Sequence, residues 1–158
     1  MIFKKRIATT IHSPINGSYL AITKVHDTTF SSKLMGDGFA VEPTEDLVRS
    51  PIDGKITMIF PTKHALGIMR RDGLEILLHI GIETVNLNGE GFQLKVKKGD
   101  SIKMGDALVT FDQSLLVDKQ LDSTIMVIFT NGDQFHIKMN EHIGILHNGD
   151  VVGYAEKQ

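Results

Sequence analysis

Ser13-Pro14-Ile15-Asn16-Gly17-Ser18 returns 37 residues further on as Ser50-Pro51-Ile52-Asp53-Gly54-Lys55. Downstream of each copy lies a second matching pair, Gly36-Asp37-Gly38-Phe39 and Gly89-Glu90-Gly91-Phe92. From Gly17 to Gly36 is 19 residues, but from Gly54 to Gly89 is 35, so the second copy is longer by about 16. His64 and His79 both fall in that longer interval. Later, Lys98-Gly99-Asp100-Ser101-Ile102-Lys103-Met104-Gly105-Asp106 holds two Gly-Asp turns, and Asn148-Gly149-Asp150-Val151-Val152-Gly153 echoes it. The repeat predicts two intertwined β motifs built from short hairpins. Its period is too irregular, and its copies too few, for a solenoid.

Working outward, turn signals punctuate the whole chain: Asp72-Gly73, Asn88-Gly89, Asn131-Gly132 and others. Between them lie short runs rich in β-branched residues: Lys55–Phe60, Glu75–Ile82, Phe92–Val96, Ala107–Phe111 and Ile125–Phe129. Strands at such spacing predict a sandwich or a barrel. Composition agrees. Ile, Val and Thr number 18, 10 and 12, against only 6 Ala, and β-branched side chains suit a pleated sheet better than a helix. With 14 Leu and 8 Phe, about a third of the 158 residues are strong core formers, enough for one core without staples. One helix is expected at about Ser114–Asp122, capped by Ser114, and a second helical turn near Phe30–Leu34. Residues 1–11 read as a short N-terminal tail and 12–158 as a single domain.

The formal net charge is −2, and no run of like charge exceeds Lys4-Lys5-Arg6. A nucleic-acid partner is not expected from so balanced a chain. The absence of cysteine removes disulfides, thiol catalysis and cysteine-based zinc sites. The longest apolar run is Ile125–Phe129, far short of a membrane span, and no signal peptide is legible after Met1-Ile2-Phe3-Lys4. The expected location is cytoplasmic, with no direct insertion into a membrane.

The chain has seven histidines: His12, His26, His64, His79, His136, His142 and His147. His79 stands out by its setting. In a strand over Glu75–Ile82, Ile76, Leu78, Ile80 and Ile82 share the core face. Leu77, His79 and Gly81 share the other face with Glu75. Glycine beside the imidazole leaves room for another molecule to approach. A half-buried histidine bonded to a carbonyl fits the same pattern. His64 follows Thr62 by two residues, and in extended chain the threonine hydroxyl faces the same way and can hold the ring in one tautomer.

These residues resemble a known family. Gly73-Leu74-Glu75-Ile76-Leu77-Leu78-His79-Ile80-Gly81-Ile82-Glu83-Thr84-Val85-Asn86-Leu87 is similar to the active-site signature of glucose-type enzyme IIA, the phosphocarrier of the bacterial phosphoenolpyruvate-dependent sugar phosphotransferase system. Ser50-Pro51-Ile52-Asp53-Gly54, Thr62-Lys63-His64-Ala65, Gly89-Glu90-Gly91-Phe92 and Gly105-Asp106-Ala107-Leu108-Val109-Thr110-Phe111-Asp112 resemble the flanking motifs, in order, over residues 12–155. The resemblance implies an all-β fold, a β-sandwich of the duplicated hybrid motif type with one or two short helices.

It also implies that His79 takes a phosphoryl group on Nε2 from HPr and passes it to an enzyme IIB domain. His64 would stabilise that group and Thr62 would orient His64. The carbonyl of Gly81 is the expected acceptor for the other nitrogen of His79. Phe30, Phe60, Leu66 and Leu77 match positions of the apolar rim, and Asp27 and Glu83 acidic positions near it. Leu66 and Leu77 stand where many relatives carry Phe, and Glu83 where Asp is common. No intrinsic metal or cofactor is expected. The His64–His79 pair offers two zinc ligands, to which a partner carboxylate would have to be added. A regulatory protein, binding transporters or metabolic enzymes according to its phosphorylation state, is the alternative within the same family.

Two other readings compete. Biotinyl and lipoyl carrier domains share the strand and turn language of Ser50–Ile56 and Lys98–Asp106. They need a lysine on a hairpin tip, and Thr110-Phe111-Asp112-Gln113-Ser114 stands there instead. A zinc hydrolase needs about three ligands, and Met139-Asn140-Glu141-His142 lacks the first histidine of the helical zinc motif.

Overall fold

A computed structural model describes residues 9–140 and 143–158. Fourteen strands are found among the described residues: β1 (Thr10–His12), β2 (Gly17–Ala21), β3 (Asp37–Pro43), β4 (Leu47–Arg49), β5 (Gly54–Ile59), β6 (Ala65–Met69), β7 (Glu75–Ile80), β8 (Phe92–Leu94), β9 (Ser101–Ile102), β10 (Ala107–Phe111), β11 (Ile125–Phe129), β12 (Phe135–Met139), β13 (Ile145–Leu146) and β14 (Val151–Lys157). They form one eight-stranded sheet, ordered β13-β2-β3-β11-β7-β6-β5-β9, and two three-stranded sheets, β1-β14-β12 and β4-β10-β8. The pairings are antiparallel throughout. The architecture is the expected β-sandwich.

The repeated motifs are where the two halves interlock. The N–H of His12 donates to the carbonyl of Pro51, and the N–H of Arg49 to the carbonyl of Pro14. Each copy begins with the same buried turn: the Ser13 hydroxyl donates to the Ile15 carbonyl at 2.7 Å and the Ser50 hydroxyl to the Ile52 carbonyl at 2.6 Å. Each serine is then held by a distant Gly-Asp turn in the same way. Ser13 N–H donates to Asp150 O and Gly149 N–H to Ser13 O, while Ser50 N–H donates to Asp106 O and Gly105 N–H to Ser50 O. The side chains repeat the relation, with Asn148 N–H on Asn16 Oδ1 and Met104 N–H on Asp53 Oδ1. The duplication in the sequence is thus a duplication of hydrogen bonds: the copies bond each other through His12–Pro51 and Arg49–Pro14, and each has a Gly-Asp turn of its own to satisfy the rest.

The main core lies between the large sheet and the two small ones. Ile11, Ile15, Phe39, Ile56, Leu66, Ile68, Ile76, Leu78, Ile80, Val127 and Phe129 are buried in it. The other face of the large sheet carries a smaller apolar cluster: Ala40, Ala65, Leu77, Met126 and Ile128, roofed by Ile22, Val25, Phe30 and Ile82. Because alternate residues of a strand point to opposite faces, β7 sends Ile76, Leu78 and Ile80 into the main core and Leu77 and His79 to the second face. Leu77, expected to face outward, does lie on His79's side, but it is buried in this second cluster. Ile82 departs from the expected core face and joins the second cluster. The strand ends at Ile80, and Gly81, at φ +77°, breaks the alternation before Ile82 is reached.

The helices are shorter than expected. The first, α1, spans Thr28–Ser31 and is capped by Asp27, whose carboxylate accepts from Thr29 N–H. Lys33, at φ 62°, ends it ahead of Leu34. The second, α2, spans Gln113–Asp118. Its cap is Asp112, which accepts from Leu115 N–H, while Ser114 donates its hydroxyl to the same carboxylate. Gln120, at φ 58°, stops the helix before Leu121. The expected tail boundary after residue 11 falls inside β1. Thr10 and Ile11 pair with Tyr154 and Gly153, and Ile11 is fully buried. Residues 1–8 of that tail, and Glu141 and His142, lie outside the described residues.

Candidate functional site: a pair of crossed imidazoles

His79 sits near the end of β7, in the centre of the large sheet. Across the sheet it is opposite Ala65 on β6 and Met126 on β11. Ala65 is small, and this lets a second ring lie over the strand pair. His64, the residue just before β6, provides it. Its carbonyl accepts from Ile80 N–H at 2.7 Å, which fixes the His64 backbone against the end of β7. The two ring centroids are 4.8 Å apart and the planes cross at 79°. Phe30 from α1 leans on His79 at 4.9 Å, and Phe60 meets His64 edge-on at 5.4 Å. The pair is therefore bracketed by aromatic rings that keep both imidazoles in place.

Each ring is tied by its Nδ1. His79 Nδ1 lies 2.8 Å from the carbonyl of Gly81. A carbonyl only accepts, so Nδ1 carries the proton and Nε2 presents a lone pair. His64 Nδ1 lies 2.7 Å from the Thr62 hydroxyl. When that hydroxyl donates, the His64 proton sits on Nε2, an assignment made from the hydrogen-bond network. Neither Nε2 has a hydrogen-bond partner among the described residues. A nucleophilic nitrogen and a hydrogen-bond donor thus stand beside each other.

Electrostatics favours the neutral nucleophile. Burial, then the neighbouring His64, push the His79 pKa down to about 4, against the opposing pull of the Gly81 carbonyl and the Asp27 carboxylate. Burial also holds the His64 pKa below its ordinary value, partly offset by hydrogen bonding at Thr62. Desolvation disfavours the imidazolium in both rings. At neutral pH the pair is uncharged and ready to attack an electrophile without first losing a proton.

The other expected site residues divide. Phe30 and Phe60 flank the histidines, Leu77 packs beneath them, and Asp27 acts on His79 through its charge. Glu83 is exposed two residues past Gly81, in a left-handed conformation that starts the 3₁₀ turn Thr84–Leu87. Leu66 is the exception. It pairs with Leu78 rather than with His79, points into the main core and is fully buried, so it is not a rim residue. One position along a strand reverses the face, and Ala65 occupies the place on the histidine side. Sequence reasoning passed over Thr84, Asp122 and Thr124, which surround Gly81. Thr84 lies within the quoted signature, but only the fold brings Asp122 and Thr124 to it. No group of three His, Asp or Glu side chains able to hold a metal ion is found among the described residues. No described helix is long and apolar enough to cross a membrane.

A sandwich that lays one neutral imidazole beside a second, donor-bearing one is equipped to hold a transferable group on nitrogen. The sequence model of the phosphoenolpyruvate-dependent sugar phosphotransferase system, EIIA 1, matches residues 9–135, and the chain belongs to this family. It is 48% identical over 127 residues to the PTS system glucose-specific EIIA component of Halalkalibacterium halodurans, over 80% of this chain and 73% of that one. Its structure is similar to that of glucose permease IIA from Mycoplasma capricolum, with TM-score 0.81 and 36% identity, over 97% of this chain and 98% of the other. The chain is a phosphoryl-transfer component of the sugar phosphotransferase system, taking a phosphoryl group from a donor and handing it to an EIIB acceptor during sugar uptake.

Proposed function

We propose that His79 Nε2 carries the phosphoryl group, that phospho-HPr supplies it, and that the acceptor is the enzyme IIB domain of a sugar permease. The observation that supports this most directly is the Nδ1–H···O=C bond from His79 to Gly81, which leaves Nε2 as the nucleophile. In the forward step the Nε2–phosphorus bond forms as the nitrogen–phosphorus bond of the donor breaks. The proton stays on Nδ1, shared with the Gly81 carbonyl, so the phosphorylated imidazole is poised to leave when the IIB nucleophile attacks. Phosphoryl transfer needs positioning and charge stabilisation more than covalent help. His64 donates Nε2–H to the phosphoryl oxygens, and Thr62 holds it in that tautomer.

Phe30, Phe60 and Leu77 form an apolar surround that excludes water when a partner docks, which protects the phosphoryl group from hydrolysis. Asp27 and Glu83 lie where basic side chains of a partner would be steered. The sugar named for both relatives is glucose, and a glucose-type permease is the acceptor we favour. The protein acts in the cytoplasm, where its donor is made. Nε2 of His64 and Nε2 of His79 can share a zinc ion if the His64 proton moves to Nδ1, where the Thr62 hydroxyl then accepts it, and a docked partner adds a carboxylate, since two histidines alone fall short of a zinc site. The experiment is incubation with phosphoenolpyruvate, enzyme I and HPr, followed by phosphosite mapping. Label on His79, lost in a folded His79→Gln variant, is expected; label of normal extent in that variant would overturn the assignment.

A further inference from the structure

The His79 tautomer depends on where the Gly81 carbonyl points, and that carbonyl is not held by the signature strand itself. It shares a peptide plane with the N–H of Ile82, which donates to the carbonyl of Asp122 at 2.9 Å. On the other side of Gly81, its own N–H donates to the carbonyl of Thr124 at 2.8 Å. Both acceptors belong to a turn some 40 residues away in sequence, between α2 and β11. That turn is closed by one carboxylate oxygen, Asp122 Oδ1, which accepts from Thr124 N–H at 2.8 Å and from the Thr124 hydroxyl at 2.6 Å. Thr84, fully buried, completes the enclosure. Its hydroxyl donates to the Ile80 carbonyl, and its methyl fills the place that a side chain at position 81 would need.

We propose that the Asp122–Thr124 turn, with Thr84, is the bracket that aims the Gly81 carbonyl at His79 and so keeps the proton on Nδ1 and the lone pair on Nε2. These are positioning residues: none of the three touches either imidazole by a hydrogen bond. The proposal rests on the reading of His79 as the phosphoryl acceptor. If the bracket loosens, the carbonyl is free to turn. The imidazole then redistributes its proton toward Nε2, and each molecule in that tautomer has no nucleophile facing the donor. The share of competent molecules falls, and the uptake rate falls with it.

Four variants separate the roles. Asp122→Ala removes the acceptor that closes the turn. Asp122 is solvent-exposed, so the fold should survive. Asp122→Asn keeps an Oδ1 acceptor and removes the charge. Thr84→Val keeps the shape and removes the hydroxyl, and Thr84→Ser is its conservative control. Two readouts are used on each folded variant: the His79 ring ¹⁵N shifts, which report the tautomer, and the initial rate of phosphoryl uptake from phospho-HPr. Asp122→Ala and Thr84→Val should shift His79 toward the Nε2–H form and slow uptake roughly three- to tenfold, the kinetic equivalent of one hydrogen bond. Asp122→Asn and Thr84→Ser should stay near the parent in both. Should Thr84→Val fail to fold, the Asp122 pair decides alone. An unchanged tautomer and rate in Asp122→Ala overturns the proposal, as does an Asp122→Asn variant as slow as Asp122→Ala, which would make charge the cause. Either result leaves His79→Gln unlabelled, whereas failure of the His79 assignment itself would show as label in His79→Gln.

Discussion

Acidification should leave the His79 ring neutral long after an ordinary histidine has charged. The pKa of about 4 has burial as its first cause and His64 as its second, against an unperturbed value of 6.5. At pH 5 a ring of pKa 4 is roughly 90% neutral and one of pKa 6.5 roughly 3%, about a thirtyfold difference in nucleophile. The Cε1–H resonance of His79, followed by NMR through about pH 8 to 3.5, should titrate with its midpoint near 4. Direct observation is preferable to the rate, because a phosphohistidine donor titrates as well. The same shift is linked to stability. The unfolded chain takes up the proton near pH 6.5 and the folded one only near pH 4, so the unfolded state binds more protons in between. Stability is therefore full above about pH 6.5 and falls as the pH drops toward 4, by up to about 3 kcal/mol from this group. Burial shifts His64 in the same sense. Urea unfolding at pH 7 and pH 4.5 should show part of the loss disappear in His79→Gln. A His79 midpoint between 6 and 7 would refute the reasoning, since desolvation by the second-face cluster could not then be acting on the ring.

Two further outcomes are expected. His64→Gln, followed through both half-reactions, should slow transfer to the IIB partner more than uptake from HPr, by roughly 10²–10³ if the His64 donor stabilises the transferring group as an oxyanion donor does; equal, normal rates in both would make His64 a bystander. Arg70, buried with its guanidinium on the Asp72 carboxylate and on the Ala155 carbonyl of β14, ties the β6–β7 turn to the C-terminal strand. Arg70→Ala leaves that carboxylate uncompensated and should cost about 3–5 kcal/mol in urea unfolding, with faster amide exchange along β14.

The repeat was the most informative part of the sequence because it encodes backbone geometry. Pro-Ile-Asn-Gly and Pro-Ile-Asp-Gly each specify a turn, and two copies of one turn in one chain imply two copies of its surroundings. His79 was legible for a related reason: alternation along Glu75–Ile80 is a local property of a strand. Leu66 was misread because the rim depends on which neighbour of His64 lies opposite His79, and register is set by pairing across the sheet rather than within a strand. Ile82 was misread because alternation ends where Gly81 turns left-handed. The α2 cap falls two residues before Ser114, on Asp112, whose carboxylate takes both the Leu115 N–H and the Ser114 hydroxyl, so the serine serves the cap instead of being it. The Asp122–Thr124 turn carried no signal at all, because its importance lies in what it touches some forty residues away.

Phe30 leans on one of the crossed imidazoles and Phe60 on the other, so a phosphoryl group carried on His79 would be reached within this one aromatic frame. A carrier with a single doorway cannot hold its donor and its acceptor together; the two must queue. Every phosphoryl group delivered then requires two arrivals and two complete departures. For about 100 transfers per second, each complex has to dissolve within roughly 10 ms, and with an arrival rate constant near 10⁷ M⁻¹s⁻¹ the dissociation constants can be no tighter than roughly 10 μM. Tight embrace would defeat the purpose of this protein. Its surface is under pressure to recognise two partners well and to keep neither.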